Sequence, residues 1–181
     1  MIKGRANVNI VVAQPPAYEN WDNYLAASLQ AVYDFSADKS RIKAVLLCNP
    51  HNPLSRCYPK KALLEVMEFC QEHGLHLIVD EIYALTDLNT TPAKAAPFVS
   101  ALTLTEPLVP SGAVKVDPSR VHVIWSASKL FGMSGFRMVR NPLLVTALSM
   151  QTKHHVNAMA STFLTELLSW HQLPTVLKLN S

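Results

Sequence analysis

Ala44-Val45-Leu46-Leu47-Cys48, then a helix-patterned run over 59–74, then Leu75-His76-Leu77-Ile78-Val79, is the part of the chain that decides its fold. The two short, mainly apolar segments read as strands buried on both faces. The run between them places Leu63, Leu64, Val66, Met67 and Cys70 on one side and Lys61, Glu65, Glu68 and Glu72 on the other. Pro59 suits a first helical turn, and Gly74 suits a left-handed cap at the helix end. Strand, helix, strand within about 35 residues is a βαβ unit, which predicts a parallel sheet in an α/β fold.

Working outward, residues 8–13 read as a strand stopped by Pro15-Pro16. Residues 21–35 have helical spacing through Leu25, Leu29, Val32 and Tyr33. Asn49-Pro50-His51-Asn52-Pro53 forbids regular structure, because its prolines remove donors and restrict their neighbours. Residues 87–119 carry Pro92, Pro97, Pro107, Pro110 and Pro118 without periodicity. They read as a long loop or insertion with at most a short helix near 93–102. Val121-His122-Val123-Ile124-Trp125 is a fourth strand, and Asn141-Pro142 opens a helical stretch toward Trp170.

Composition narrows the class. The chain has 181 residues, 49% of them hydrophobic, and a formal charge of +3 spread along its length. That size suffices for one domain with its own core, and the charge predicts neither a nucleic-acid nor a membrane surface. No stretch of 18 uncharged apolar residues occurs, and Cys48, Cys57 and Cys70 have no zinc or disulfide spacing. These features predict a soluble, cytoplasmic protein of a reducing compartment. His154-His155 point apart on a helix, so no metal site is expected. Nor is there a Gly-x-Gly-x-x-Gly or phosphate-loop run for a nucleotide.

In a parallel sheet the ligand lies beyond the carboxyl ends of the strands. Asn52 follows the second strand, Asp80 and Tyr83 the third, and Ser126, Ser128 and Lys129 the fourth. An amide, a carboxylate, a phenol and an amine are thus expected at one edge. Each alone has a plain explanation, as a turn, a cap, a core tyrosine or a solvated lysine, but their joint placement matches the needs of pyridoxal 5′-phosphate. Lys129 would bond the cofactor's aldehyde and move protons at the substrate's alpha carbon. Asp80 would pair with the ring nitrogen, and Asn52 and Tyr83 would donate to the phenolic oxygen. Arg137, beyond Gly132 and Gly135, would join Ser126 in holding the phosphate.

Three stretches carry a family resemblance: Asn49-Pro50-His51-Asn52-Pro53-Leu54, Leu77-Ile78-Val79-Asp80-Glu81-Ile82-Tyr83, and the twelve-residue run from Ser126-Ala127-Ser128-Lys129 to Gly135-Phe136-Arg137. With these the chain resembles the fold-type I pyridoxal phosphate enzymes of the class I and II aminotransferase superfamily, closest to its 1-aminocyclopropane-1-carboxylate synthase-like branch. The resemblance implies a three-layer α/β/α fold with a mostly parallel sheet, of which residues 1–181 would form part of the large domain, the small domain being missing. It also implies an amino acid substrate and a homodimer, and it puts Lys129, Asp80, Asn52, Tyr83, Ser126, Ser128 and Arg137 on cofactor positions. The expected activity is amino-group transfer. The alternatives are a lyase acting on S-adenosylmethionine and a catalytically silent, truncated homologue.

Two departures accompany the matches. Ser55 stands where the family usually has glycine, which is costly if its φ is positive. After Arg137 the chain runs through Met138-Val139-Arg140 straight into Asn141-Pro142, so about half a dozen residues of a family strand are expected to be missing.

Overall fold

The computed structural model describes residues 8–14, 25–86, 95–105, 116–136, 139–140 and 175–179, with 136, 139–140 and 175–179 described as backbone. Its strands are β1 (Val8–Val12), β2 (Ile42–Cys48), β3 (His76–Asp80), β4 (Val121–Ser126), β5 (Val139–Arg140) and β6 (Thr175–Leu179). The helices are α1 (Leu25–Asp34), α2 (Lys60–Glu72) and the single turn α3 (Ala127–Leu130).

All six strands join one sheet in the order β1-β6-β2-β3-β4-β5. β2, β3 and β4 pair in parallel, whereas β6 is antiparallel to both its neighbours and β5 to β4. Strands β1 to β4 therefore all point one way, and the sheet is mostly parallel in strand direction. β6 was not among the expected strands; it slots between β1 and β2. Beyond Arg137, Val139 and Arg140 pair with β4 as β5 at the sheet edge.

The βαβ unit forms for the reasons its sequence suggests. Leu63, Val66, Met67 and Cys70 of α2 are buried, and burying such a side chain contributes roughly 1.5–3 kcal/mol. Pro59 sits one position before the helix rather than inside it. Gly74 takes φ +64; its amide donates to the Gln71 carbonyl at 3.2 Å and the Leu75 amide to the Cys70 carbonyl at 2.8 Å. These are the paired bonds of a Schellman cap. A guanidinium hydrogen bond from Arg120 to the Gly74 carbonyl ties this turn to the approach to β4.

Alternation along the strands sends Val45, Leu47, Leu77, Val79, Val121 and Val123 into the main core beneath α1 and α2. Tyr33 of α1 meets Phe69 of α2 edge-on, with ring centroids 6.0 Å apart. On the other face Val8, Ala44 and Ile124 are buried with Ile10, Leu46 and Ile78 packed against them. Apolar cores on both faces are what a three-layer arrangement requires. In the expected loop, residues 95–100 are irregular, and one 3-10 turn covers Ala101–Leu104. The start of the expected helix over 21–35 and the whole stretch toward Trp170 lie outside the described residues. Among the described residues no helix is long and apolar enough to cross a membrane.

Candidate active site

Cys48, Asp80, Ile124 and Ser126 share one sheet face by strand register, so the carboxyl ends of three neighbouring strands meet there. Beyond β2 the chain turns through 49–56, closed by the His51 amide on the Arg56 carbonyl and the Ser55 amide on the His51 carbonyl, both at 2.8 Å. Ser55 has φ 51, the conformation in which the departure from glycine is costly. Asn49, fully buried, is used internally. Its side-chain oxygen accepts the Tyr58 amide and its nitrogen donates to the Val99 carbonyl, each at 3.1 Å. Asn52 instead reaches the next strand end, where its amide nitrogen donates to the Tyr83 hydroxyl at 3.1 Å.

Asp80 is buried, and its Oδ1 accepts the Ile82 amide at 3.1 Å. Burial pushes its carboxyl up from 3.8 to about 6, with the Ile82 amide and the positive charge of Lys129 opposing the rise. Beside it, burial and the Asp80 charge push the Cys48 thiol up to about 12. That thiol is therefore protonated at neutral pH and inert as a nucleophile. Tyr83 lies in a turn held by the Ala84 amide on the Glu81 carbonyl at 2.8 Å and by the Thr86 hydroxyl on its own carbonyl at 2.6 Å.

After β4, the buried Ser126 caps α3. Its Oγ accepts the Ser128 amide at 3.0 Å and donates to the Ser128 hydroxyl at 2.7 Å. The cap turns the chain so that Lys129, exposed on α3, carries its ammonium over the Tyr83 ring, 5.4 Å from the centroid. Asn52, Tyr83, Asp80 and Lys129 are thus brought together, and Ser126 and Ser128 stand at the base of α3. Arg137 lies outside the described residues. An acid, a phenol with an amide behind it, and a free amine can together grip a polar aromatic ring and move a proton beside it.

Sequence reading overlooked Glu81, a second buried acid at this edge, whose Oε1 accepts the Ala101 amide at 2.8 Å. The signal was the Asp80-Glu81 pair, since neighbouring residues at a strand end face opposite sides.

Residues 4–172 match the family described as aminotransferase class I and II. The chain belongs to that family. It is thereby a member of the fold-type I pyridoxal phosphate superfamily. It is 37% identical over 97% of its length to the trimodular acetylaranotin synthesis protein ataIMG of Aspergillus terreus, of which it covers 20%. It is 36% identical over 87% of its length to a protein of Aspergillus oryzae named probable aminotransferase aclI, covering 37% of it. A third relative, 1-aminocyclopropane-1-carboxylate synthase-like protein 1 of Bos taurus, is 34% identical over 69% of this chain and 23% of its own. The chain thus spans about a fifth to two fifths of the length of these class I and II relatives.

Proposed function

We propose that this chain forms the cofactor-binding part of a pyridoxal phosphate enzyme that acts on an amino acid by amino-group transfer. The observation that carries the reading is the meeting of Asn52, Tyr83, Asp80 and Lys129 at the carboxyl ends of β2, β3 and β4. This donor set fits the cofactor. Asp80 is an acid that has lost water and holds one amide hydrogen bond in exchange, so a protonated ring nitrogen is the partner its raised pKa calls for. Because Asn52 donates to Tyr83, the Tyr83 hydroxyl hydrogen is left to donate to the phenolic oxygen.

When bound, the cofactor supplies an electron sink for the pair left on the substrate's alpha carbon. Lys129 would hold it through its amine, and the same amine would take and return the alpha proton. Asp80 keeps the ring nitrogen protonated, and Asn52 with Tyr83 steadies negative charge on the phenolic oxygen. Ser126, Ser128 and Arg137 are the residues we assign to the phosphate. On this reading residues 1–181 are part of the large domain, with 87–119 a long loop or insertion within it. The setting we propose is a cytoplasmic homodimer in amino acid biosynthesis.

The test is spectroscopic. Purified chain mixed with pyridoxal phosphate is expected to gain a visible band that survives dialysis, disappears on borohydride reduction and is absent in Lys129→Ala. A folded sample that never gains the band refutes the reading and favours a silent homologue. A second reading, a lyase acting on S-adenosylmethionine, is supported by the 34% identity to the synthase-like relative. Release of a keto acid from single amino donors marks transfer, and a ring product from S-adenosylmethionine marks the lyase.

A further inference from the structure

Glu81 is 3% exposed and takes no part in the chemistry just proposed, yet it is bonded in three directions. Its amide donates to the Ile124 carbonyl of β4 at 2.8 Å, and its carbonyl accepts the Ala84 amide at 2.8 Å, which closes the turn presenting Tyr83. Its carboxylate accepts the Ala101 amide at 2.8 Å and the Ser100 hydroxyl. Asn49 grips the same segment from the neighbouring strand end, through the Val99 carbonyl at 3.1 Å. Ala101 and Leu104 then bury against the sheet.

Holding one 3-10 turn does not call for a buried acid. Ser100 already caps that turn through the Leu102 amide at 3.3 Å, and an ionisable group in the interior carries a desolvation cost. Burial pushes the Glu81 carboxyl up to about 7. What the acid adds is a rigid link from residues 100–101 to the one backbone position lying between Asp80 and the Tyr83 turn.

We infer that Glu81 is a positioning residue: by tying the end of β3 to residues 100–101, it fixes the backbone from which Asp80 and Tyr83 reach the cofactor. The inference rests on the proposed function. Small displacements of a binding group are felt strongly, so the support of that group is measurable in its own right.

The 181-residue chain is titrated with pyridoxal phosphate by visible absorbance, and circular dichroism checks that each variant is folded. Glu81→Ala removes the acceptor. Ala101→Pro removes the donor, and the Ser100 ψ of 139° suits a following proline. Each is expected to weaken affinity about tenfold, the size of one charge-assisted hydrogen bond, and to move the pH at which the bound cofactor's absorbance changes. Glu81→Gln keeps an acceptor for Ala101 and is expected to restore both readouts. Ser100→Ala, the mildest change, is expected to shift both less and in the same direction. Folded variants that lose only thermal stability, with affinity and pH midpoint as in the wild type, overturn the positioning role. If the wild type binds through Lys129 and the variants bind equally well, this inference alone falls; if the wild type shows no Lys129-dependent binding, it falls together with the proposed function.

Discussion

Replacing Asp80 with asparagine is expected to stabilise the cofactor-free protein while weakening its hold on pyridoxal phosphate. In the folded chain the Asp80 carboxyl is raised from 3.8 to about 6. The folded state therefore binds this proton more tightly than the unfolded state does, and stability increases as pH falls from above 6 toward 3.8. Two pH units correspond to a penalty of about 3 kcal/mol for keeping the group ionised at pH 8. In Asp80→Asn the side-chain oxygen still accepts the Ile82 amide, but a buried amide nitrogen costs about 1–2 kcal/mol. The net gain at pH 8 is about 1–2 kcal/mol, or about 2–8 °C in melting temperature for a chain of this size. Urea unfolding of the cofactor-free protein at pH 8 and pH 5 measures it. At pH 5 the wild type recovers about half its penalty, so the difference between the two proteins shrinks correspondingly. If the variant is no more stable than the wild type at pH 8, or if the gap between them ignores pH, Asp80 is not a desolvated acid and its pairing with a ring nitrogen loses its basis.

Three further outcomes follow from the backbone and the far end of the sheet. Ser55→Gly removes a left-handed serine at φ 51; relief of about 1–2 kcal/mol, set against about 0.5–1 kcal/mol of glycine entropy, predicts a melting temperature higher by a few degrees, read by calorimetry. Gly74→Ala puts a Cβ on a residue at φ +64, 3.2 Å from Arg120 Nη1, and is expected to lower stability by about 1 kcal/mol in urea titration. His122 hydrogen-bonds His76 ring to ring at 2.9 Å, and burial followed by the His76 charge holds its pKa below 6.5. The neutral form is favoured on folding, so stability is lost as pH falls through 6.5; His122→Phe is expected to flatten that part of the curve in melts between pH 7.5 and 5.5.

The parts of this fold that the sequence announces are those whose causes are local. The α2 stripe of Leu63, Val66, Met67 and Cys70, and the Gly74 cap that ends it, depend on residues within a few positions of one another. So do the apolar runs of β2, β3 and β4. β6 depends on nothing nearby. Thr175-Val176-Leu177-Lys178-Leu179 is a short alternation that becomes a strand by pairing with β1 and β2, far back in the chain. The candidate site divides in the same way. Asp80 ends β3, Asn52, Tyr83 and Lys129 follow strand ends, and all four were legible from that placement. The strut made by Asn49 and the link made by Glu81 were not, because Val99 and Ala101 lie in a stretch with no periodic signal. Ser126 was expected beside the phosphate; its use as the cap that aims α3 is a geometric fact invisible in composition.

The position of β6 has a consequence for how the chain is made. During synthesis the β2–β3–β4 layer can assemble as soon as residue 126 has emerged, since its pairings are sequential. β1 has no described place in the sheet until Thr175–Leu179 arrives to separate it from β2. Until those residues are made, one margin of the nascent layer thus offers open backbone to any passing strand, and their pairing with β2 is what shuts it.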